Sequence, residues 1–346
     1  MDSTRTDVIR SWPALALAGL IVATIVGFIV YPTYPNYDSY YSLLWGRELL
    51  HGQRLSFETY YAPTQHPLAI AFGALLSLIG RDADRVMVFC TLGSFVLLCA
   101  GLYRFGRTLF GPLVGLIAAA ILITRFDFPF LAARAYIDVP YLALVIWAVA
   151  LEWERPGRGG IVWLLLLGAG LLRPEAWILL GLYGLWLALR VRRSGGRWGA
   201  VARSLVRSAT ISAIAPLIWC GTDYLVTGHP FFSLTHTSAF AEELGRTKGA
   251  AEIPSAMKAF FLNLTKAPVL AAGIVGAALA FWFAPRRALL PAVLWLIGSG
   301  TFVLIGLAGL SVIDRYLLVP ALMVMVFAAV TVGGFTMLQP SLLRRV

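Results

Sequence analysis

Ten apolar windows dominate this 346-residue chain, near 13–31, 86–103, 111–124, 138–151, 160–172, 175–190, 208–226, 268–284, 289–309 and 316–335. A hydrocarbon core of roughly 30 Å takes about 20 helical residues, so the longer windows fit a crossing as they stand. The shorter ones do so by extending into their flanks. Inside lipid a chain must satisfy its own backbone hydrogen bonds, and segments of this length do that as helices. Composition agrees: 59% of residues are hydrophobic, 13% are charged and the mean hydropathy is +0.80, outside the range of soluble domains. The expected fold is therefore all-α, a polytopic membrane helix bundle of about ten spans. It forms a single integral-membrane domain over 1–346 with no soluble domain attached. The first window has no small-residue cleavage site and runs into a Tyr/Pro-rich loop, so it reads as a span and not as a signal peptide.

A net charge of +11 and a pI near 9.9 would suit a nucleic-acid binder if the charge formed one patch. Its placement argues otherwise. Residues 67–80, PLAIAFGALLSLIG, are apolar but only fourteen long, which suits a re-entrant or interfacial helix. If this segment does not cross, the inner side holds Arg5, Arg10, Arg104, Arg107, Arg155, Arg158, the cluster from Arg190 to Arg207, Arg286, Arg287, Arg344 and Arg345. That is 16 of the 28 basic residues against 4 of the 17 acidic ones. If it does cross, every later loop flips and the excess moves outside. The positive-inside rule selects the first arrangement, with both termini cytoplasmic. The basic balance then sets topology, and no nucleic-acid partner is expected.

Two segments are too long to be mere connectors, 32–85 and 227–267, and both fall on the outer face. The first contains an amphipathic stretch over 39–50 and the short 67–80 helix. Between the spans at 175–190 and 208–226, the Arg-rich segment 190–207 reads as a surface helix. Cys90, Cys99 and Cys220 lie in apolar windows without CxxC spacing, so they read as small core residues. All four histidines (His51, His66, His229, His236) lie on the outer side. The spacing of His229 and His236 is a weak metal signal.

The outer ends of the spans collect Asp38, His66, Asp127, Arg134, Asp138, Arg173, Glu175, Asp314 and Arg315. Ionisable groups at membrane depth are costly and mark function by default. This set has the makings of a site that binds an anion and moves a proton. In YPNYDSYYSLLWGRELLHGQ, Asp38 lies among tyrosines that include Tyr37 and Tyr41. It reads as an N-cap of the following helix and also as a general base at the membrane surface; the two are compatible. In RFDFPFLAARAYIDVP, Arg134 either pairs with Asp127 and Asp138 or meets a substrate. In LLRPEAW, Pro174 breaks the helix between Arg173 and Glu175. A guanidinium there suits a phosphate, and a local ion pair with Glu175 is the plainer alternative. Arg315, in DRYLLVP, reads as an interfacial residue reaching toward water.

In order and spacing, NYDSYYSLLWGRELLHGQ, QHPLAIAFGALLSLIG, YRFGRTLFG and ARAYIDVPYLAL resemble the motifs of the GT-C integral-membrane glycosyltransferases. The resemblance is to their protein-mannosyltransferase and aminoarabinose-transferase branch, and it covers about 30–180. It implies transfer of a sugar from a polyprenyl-phosphate donor with inversion. Asp38 would be the base and Asp138 the later motif acid, with His66 near the donor phosphate. Arg173, Arg134, Glu175, Tyr37 and Tyr41 are further candidates for holding the donor. Many relatives carry Asp-Glu where this chain has Asp38-Ser39, and His-Pro-Pro where it has His66-Pro67-Leu68. No cofactor is required by this chemistry, although Asp38 with Asp127 or Asp138 is a candidate site for a divalent metal ion. The expected partners are the lipid-linked donor and membrane lipids, in a bacterial plasma membrane, with the acceptor undefined. A transporter or flippase would place ionisable groups near mid-membrane and show internal repeats, and neither is seen. A non-catalytic scaffold leaves the outer cluster unexplained.

Overall fold

The computed structural model describes residues 3–59, 61–235 and 249–337. His236, Glu242, Glu243, Arg344 and Arg345 lie outside these. Among the described residues the chain is helical throughout, with no β-strand. Each of the ten apolar windows falls on a helix. In chain order these are α1 (Ser3–Val30), α4 (Ala83–Phe110), α5 (Pro112–Thr124), α7 (Asp138–Glu154), α8 (Gly160–Leu172), α9 (Ala176–Arg193) and α10 (Trp198–Thr227). The last three are α12 (Ala267–Phe283), α13 (Pro285–Leu307) and α14 (Leu318–Gly333). Four shorter or accessory helices lie between them: α2 (Tyr37–Leu50), α3 (Pro67–Ser77), α6 (Asp127–Ala133) and α11 (Ile253–Thr265). Five helices are long and apolar enough to cross a membrane alone, and seven if the bent pairs α5–α6 and α11–α12 each count as one.

The two terminal spans show what solvent each helix faces. Along α1, Leu15, Val22, Val26, Ile29 and Val30 are all exposed, as suits a helix surrounded by lipid. It joins the bundle at its C-terminal end, where Arg85 of α4 donates to the carbonyls of Phe28 and Thr33 at 2.8 and 3.1 Å. By contrast α14 is apolar on every side and buried almost entirely, from Leu318 to Val330. It is the central helix. Gly276 of α12 faces the Phe327 carbonyl so closely that no side chain fits there, and this lets the two backbones touch.

The first long loop is built mainly on α2 and α3. With eleven residues, α3 rises about 16 Å, too short to cross the hydrocarbon core. It packs instead against α2, with Gly46 and Gly73 at the contact. A Cβ on either would collide with backbone, that of Ala74 and Gly73 for Gly46 and that of Ser42 for Gly73. A second tether holds the start of α2: the fully buried Ser39 hydroxyl donates to the Ala135 carbonyl at 2.6 Å, and Thr33 donates to Ala133. Three cross-chain contacts thus lock Asp38 in place before any ligand arrives.

Two expectations need correction. The segment 190–207 is not a separate surface helix. After a turn at 194–197 the chain enters α10, which runs 30 residues without a break. Asp38 is not the cap of α2 either. Asn36 takes that place, accepting from the Ser39 amide at 3.0 Å, so Asp38 sits in the first turn with its carboxylate free for other partners. The cysteines are unpaired, with Cys99 buried and Cys90 and Cys220 half-buried, in accord with their reading as small packing residues.

Candidate active site

Five helix beginnings and one helix end converge on one charged cluster. Asp138 opens α7 and is fully buried, at 0% exposure. Its two oxygens each meet a guanidinium: Oδ1 pairs with Arg173 and Oδ2 with Arg315 at 3.4 Å. Arg315 stands in the short 3₁₀ turn Asp314–Leu317 just before α14, and its other partner is Asp38 Oδ2 at 3.5 Å. Arg173 ends α8 and also binds Glu175 across the Pro174 break, donating to Oε1 from two nitrogens at 2.6 and 3.1 Å. Tyr141 and Tyr316 flank the Arg173 guanidinium, and Tyr136 lies under that of Arg315. Three carboxylates therefore face two guanidiniums. The N-terminal ends of α2, α7 and α9 add partial positive charge, which favours the carboxylates and any anion arriving there.

His66 precedes α3 and closes the cluster. The edge of its ring meets Trp219 of α10 at 5.5 Å between centroids, and its buried Nδ1 has no hydrogen-bond partner. Burial, helped by the charges of Arg173 and Arg315 and opposed by that of Asp38, holds its pKa down to about 4. The imidazole is therefore neutral near pH 7, with one N–H to donate and one nitrogen to accept.

The sequence candidates thus separate into two groups. Asp38, Asp138, Arg173, Glu175 and His66 come together, and Arg315 joins them instead of reaching for water. Arg134 does not. It donates to the Tyr34 carbonyl at 3.0 Å and lies over the Tyr34 ring, and its own carbonyl accepts from the Asn36 amide at 2.7 Å. Its work is to hold the extended segment that leads into α2. Tyr37 and Tyr41 make their contacts along α2: the Tyr37 hydroxyl donates to the Tyr61 carbonyl at 2.5 Å, and Tyr41 packs against Trp45. Asp127 starts α6 and takes no part in the ion pairs that join Asp38 and Asp138 to Arg315 and Arg173. His51 and His229 are exposed. The geometry does not suit a divalent ion held by Asp38, Asp127 and Asp138, because guanidiniums engage both oxygens of Asp138 and one of Asp38. Among the described residues no group of three or more His, Cys, Asp or Glu side chains is arranged to hold a metal.

One cavity lies in the cluster and a second lies farther along the same helices. A small one, about 20 Å³, lies between Tyr141, Arg173, Glu175, Arg315 and Tyr316. A larger one, about 290 Å³, runs between α7, α8, α9 and α13, lined by Trp153, Leu166, Leu182, Trp186, Leu290 and Val293 among others. Leu179, Leu294 and Ile297 line both, so these apolar side chains stand between the charged site and the larger, mainly apolar cavity.

A solved structure has this arrangement of helices: ArnT from Cupriavidus metallidurans bound to undecaprenyl phosphate. It superposes with a TM-score of 0.65 at 16% identity, over 97% of this chain and 62% of that one. The chain shares its fold with ArnT. ArnT is a GT-C aminoarabinose transferase, so the resemblance in the first motifs extends to the path of nearly the whole chain. The chain spans about three-fifths of the length of this neighbour, 62%. No family model matches the sequence, and no curated protein does.

Proposed function

We propose that this protein is a membrane glycosyltransferase that takes a sugar from a polyprenyl-phosphate donor and delivers it to an acceptor hydroxyl. The observation that carries this reading is the cluster itself: Arg173, Arg315 and Glu175 line a small cavity that shares Leu179, Leu294 and Ile297 with a larger, mainly apolar one. A lipid-linked sugar has the same division, with a tail that belongs in apolar surroundings and a phosphate that needs cations. ArnT, of like fold, was solved with undecaprenyl phosphate bound, and this supports the same class of donor here.

The chemistry follows from the parts. The acceptor oxygen attacks the anomeric carbon on the face opposite the phosphate, and the bond from that carbon to the phosphate oxygen breaks. Polyprenyl phosphate leaves with the electron pair, the hydroxyl proton passes to Asp38, and the anomeric configuration inverts. Arg173 and Arg315 stabilise the charge that gathers on the leaving phosphate, and low-dielectric surroundings strengthen that effect. Asp138 and Glu175 orient Arg173. The protein reconstituted with polyprenyl-phosphate sugars should release polyprenyl phosphate and form an inverted glycoside once a hydroxyl acceptor is supplied. If a broad panel of such donors and acceptors is left untouched while the lipid itself is carried across the vesicle wall, a flippase is the better reading.

The same reading includes ten crossings, with both termini in the cytoplasm and the site on the outer face of the plasma membrane. The Arg excess at the opposite ends of the helices supports it. Cysteine labelling in intact cells checks this. A Cys at Ala250 should react with an impermeant reagent and one at Gly195 should not; the reverse pattern overturns the topology.

A further inference from the structure

The two arginines of the site are held differently. Arg173 is 8% exposed, clamped by Asp138 and doubly bonded to Glu175. Arg315 is 25% exposed, and its two contacts are long, 3.5 Å to Asp38 and 3.4 Å to Asp138. It is carried on a non-helical approach, past Gly309 at φ +74° and into the short turn Asp314–Leu317, and not on the face of a packed helix. One guanidinium is locked and the other is loosely shared. A charge-assisted contact strengthens as it shortens toward about 2.8 Å, so Arg315 has free energy to gain from a better-placed anion.

We propose that Arg315 is exchanged between Asp38 and the donor phosphate, so that Asp38 is masked in the empty site and released as a base only once a lipid phosphate has bound. The inference rests on the phosphate-donor reading above. Among the described residues the cations paired with Asp38, Asp138 and Glu175 are Arg173 and Arg315, and His66 is neutral, so an incoming phosphate competes with carboxylates for cations already present. Arg173 can meet it only from where it stands, since swinging away would remove its clamp on the fully buried Asp138. Arg315, more exposed and held by long contacts, can turn. Once its fork closes on the phosphate, Asp38 Oδ2 loses its partner and is left as a bare acceptor beside the anomeric carbon. Donor and acceptor then bind in a compulsory order, and the base is not exposed before there is a sugar to transfer.

The test is a double-mutant cycle read by titrating undecaprenyl phosphate into purified protein in detergent, with a thermal melt of each variant to confirm folding. Arg315→Gln should weaken binding by about tenfold, and Asp38→Asn should tighten it by about tenfold by freeing Arg315. In the Arg315→Gln background the gain from Asp38→Asn should shrink to about twofold or less. Arg315→Lys, which keeps the charge, should bind between wild type and Arg315→Gln and serves if the glutamine variant does not fold. An equal gain from Asp38→Asn in both backgrounds would mean that Asp38 acts by simple repulsion, and it overturns the exchange. Unchanged binding in both Arg315 variants overturns it too. No binding to wild type removes the phosphate-donor reading and the exchange together.

Discussion

Asp38→Asn should lose about 10²–10⁴ in transfer rate while the protein folds and melts as wild type does. The amide keeps the size of the side chain and can still accept from Arg315, but it cannot take up the acceptor proton. The result separates base from cap, because the cap of α2 is Asn36 and its bond to the Ser39 amide is untouched by the substitution. The matching control is Asn36→Ala, which should cost about 1 kcal/mol of stability with a smaller effect on rate. Near-normal turnover by purified Asp38→Asn would end the assignment of Asp38 as base.

Gly73→Ala and Gly46→Ala should be as damaging by another route. A Cβ at Gly73 meets the backbone carbonyl of Ser42, and one at Gly46 meets the backbone of Gly73 and Ala74. Backbone cannot swing aside as a side chain tip can, so α2 and α3 must separate. Overpacking of this kind costs about 1–3 kcal/mol or more. The larger consequence is positional, since Asp38 begins α2 and His66 immediately precedes α3. A shift of about 1 Å in a catalytic group is enough for a loss near 10²-fold, so rate should fall further than melting temperature. Full activity in both variants would show that this contact does not set the position of Asp38.

Much of the helical architecture was legible in the sequence, because apolar length is a one-dimensional signal. All ten windows are helices, and 67–80 contains the short helix expected of it. The errors arise where a one-dimensional pattern hides a three-dimensional competition. Asp38 looked like a cap because it follows a break, but Asn36, two residues earlier, reaches the Ser39 amide first. Arg134 looked like a partner for Asp138 because they are neighbours in the chain. The Tyr34 carbonyl and ring take it instead. Arg315 joins the site across 277 residues from Asp38, a pairing that no local pattern reveals. Its only signal was an unexplained Asp314-Arg315 pair before an apolar run.

The departure at Ser39 has a structural reason. Its fully buried hydroxyl donates to the Ala135 carbonyl, whereas a glutamate there would set a carboxylate against that oxygen. Serine at this position ties α2 to the turn before Asp138, and so holds the carboxylates of Asp38 and Asp138 in one frame.

Whether the site handles a lipid phosphate is tested most directly through Arg173. Its guanidinium is buried among Asp138, Glu175, Tyr141 and Tyr316 and lines the small cavity of the charged site. Undecaprenyl phosphate should bind wild type, fail to bind Arg173→Ala, and bind Arg173→Lys poorly, since an ammonium cannot reproduce the planar fork. Equal binding by all three proteins would reduce Arg173 to a structural partner of Asp138 and Glu175, and no binding by wild type would contradict the lipid-phosphate donor itself.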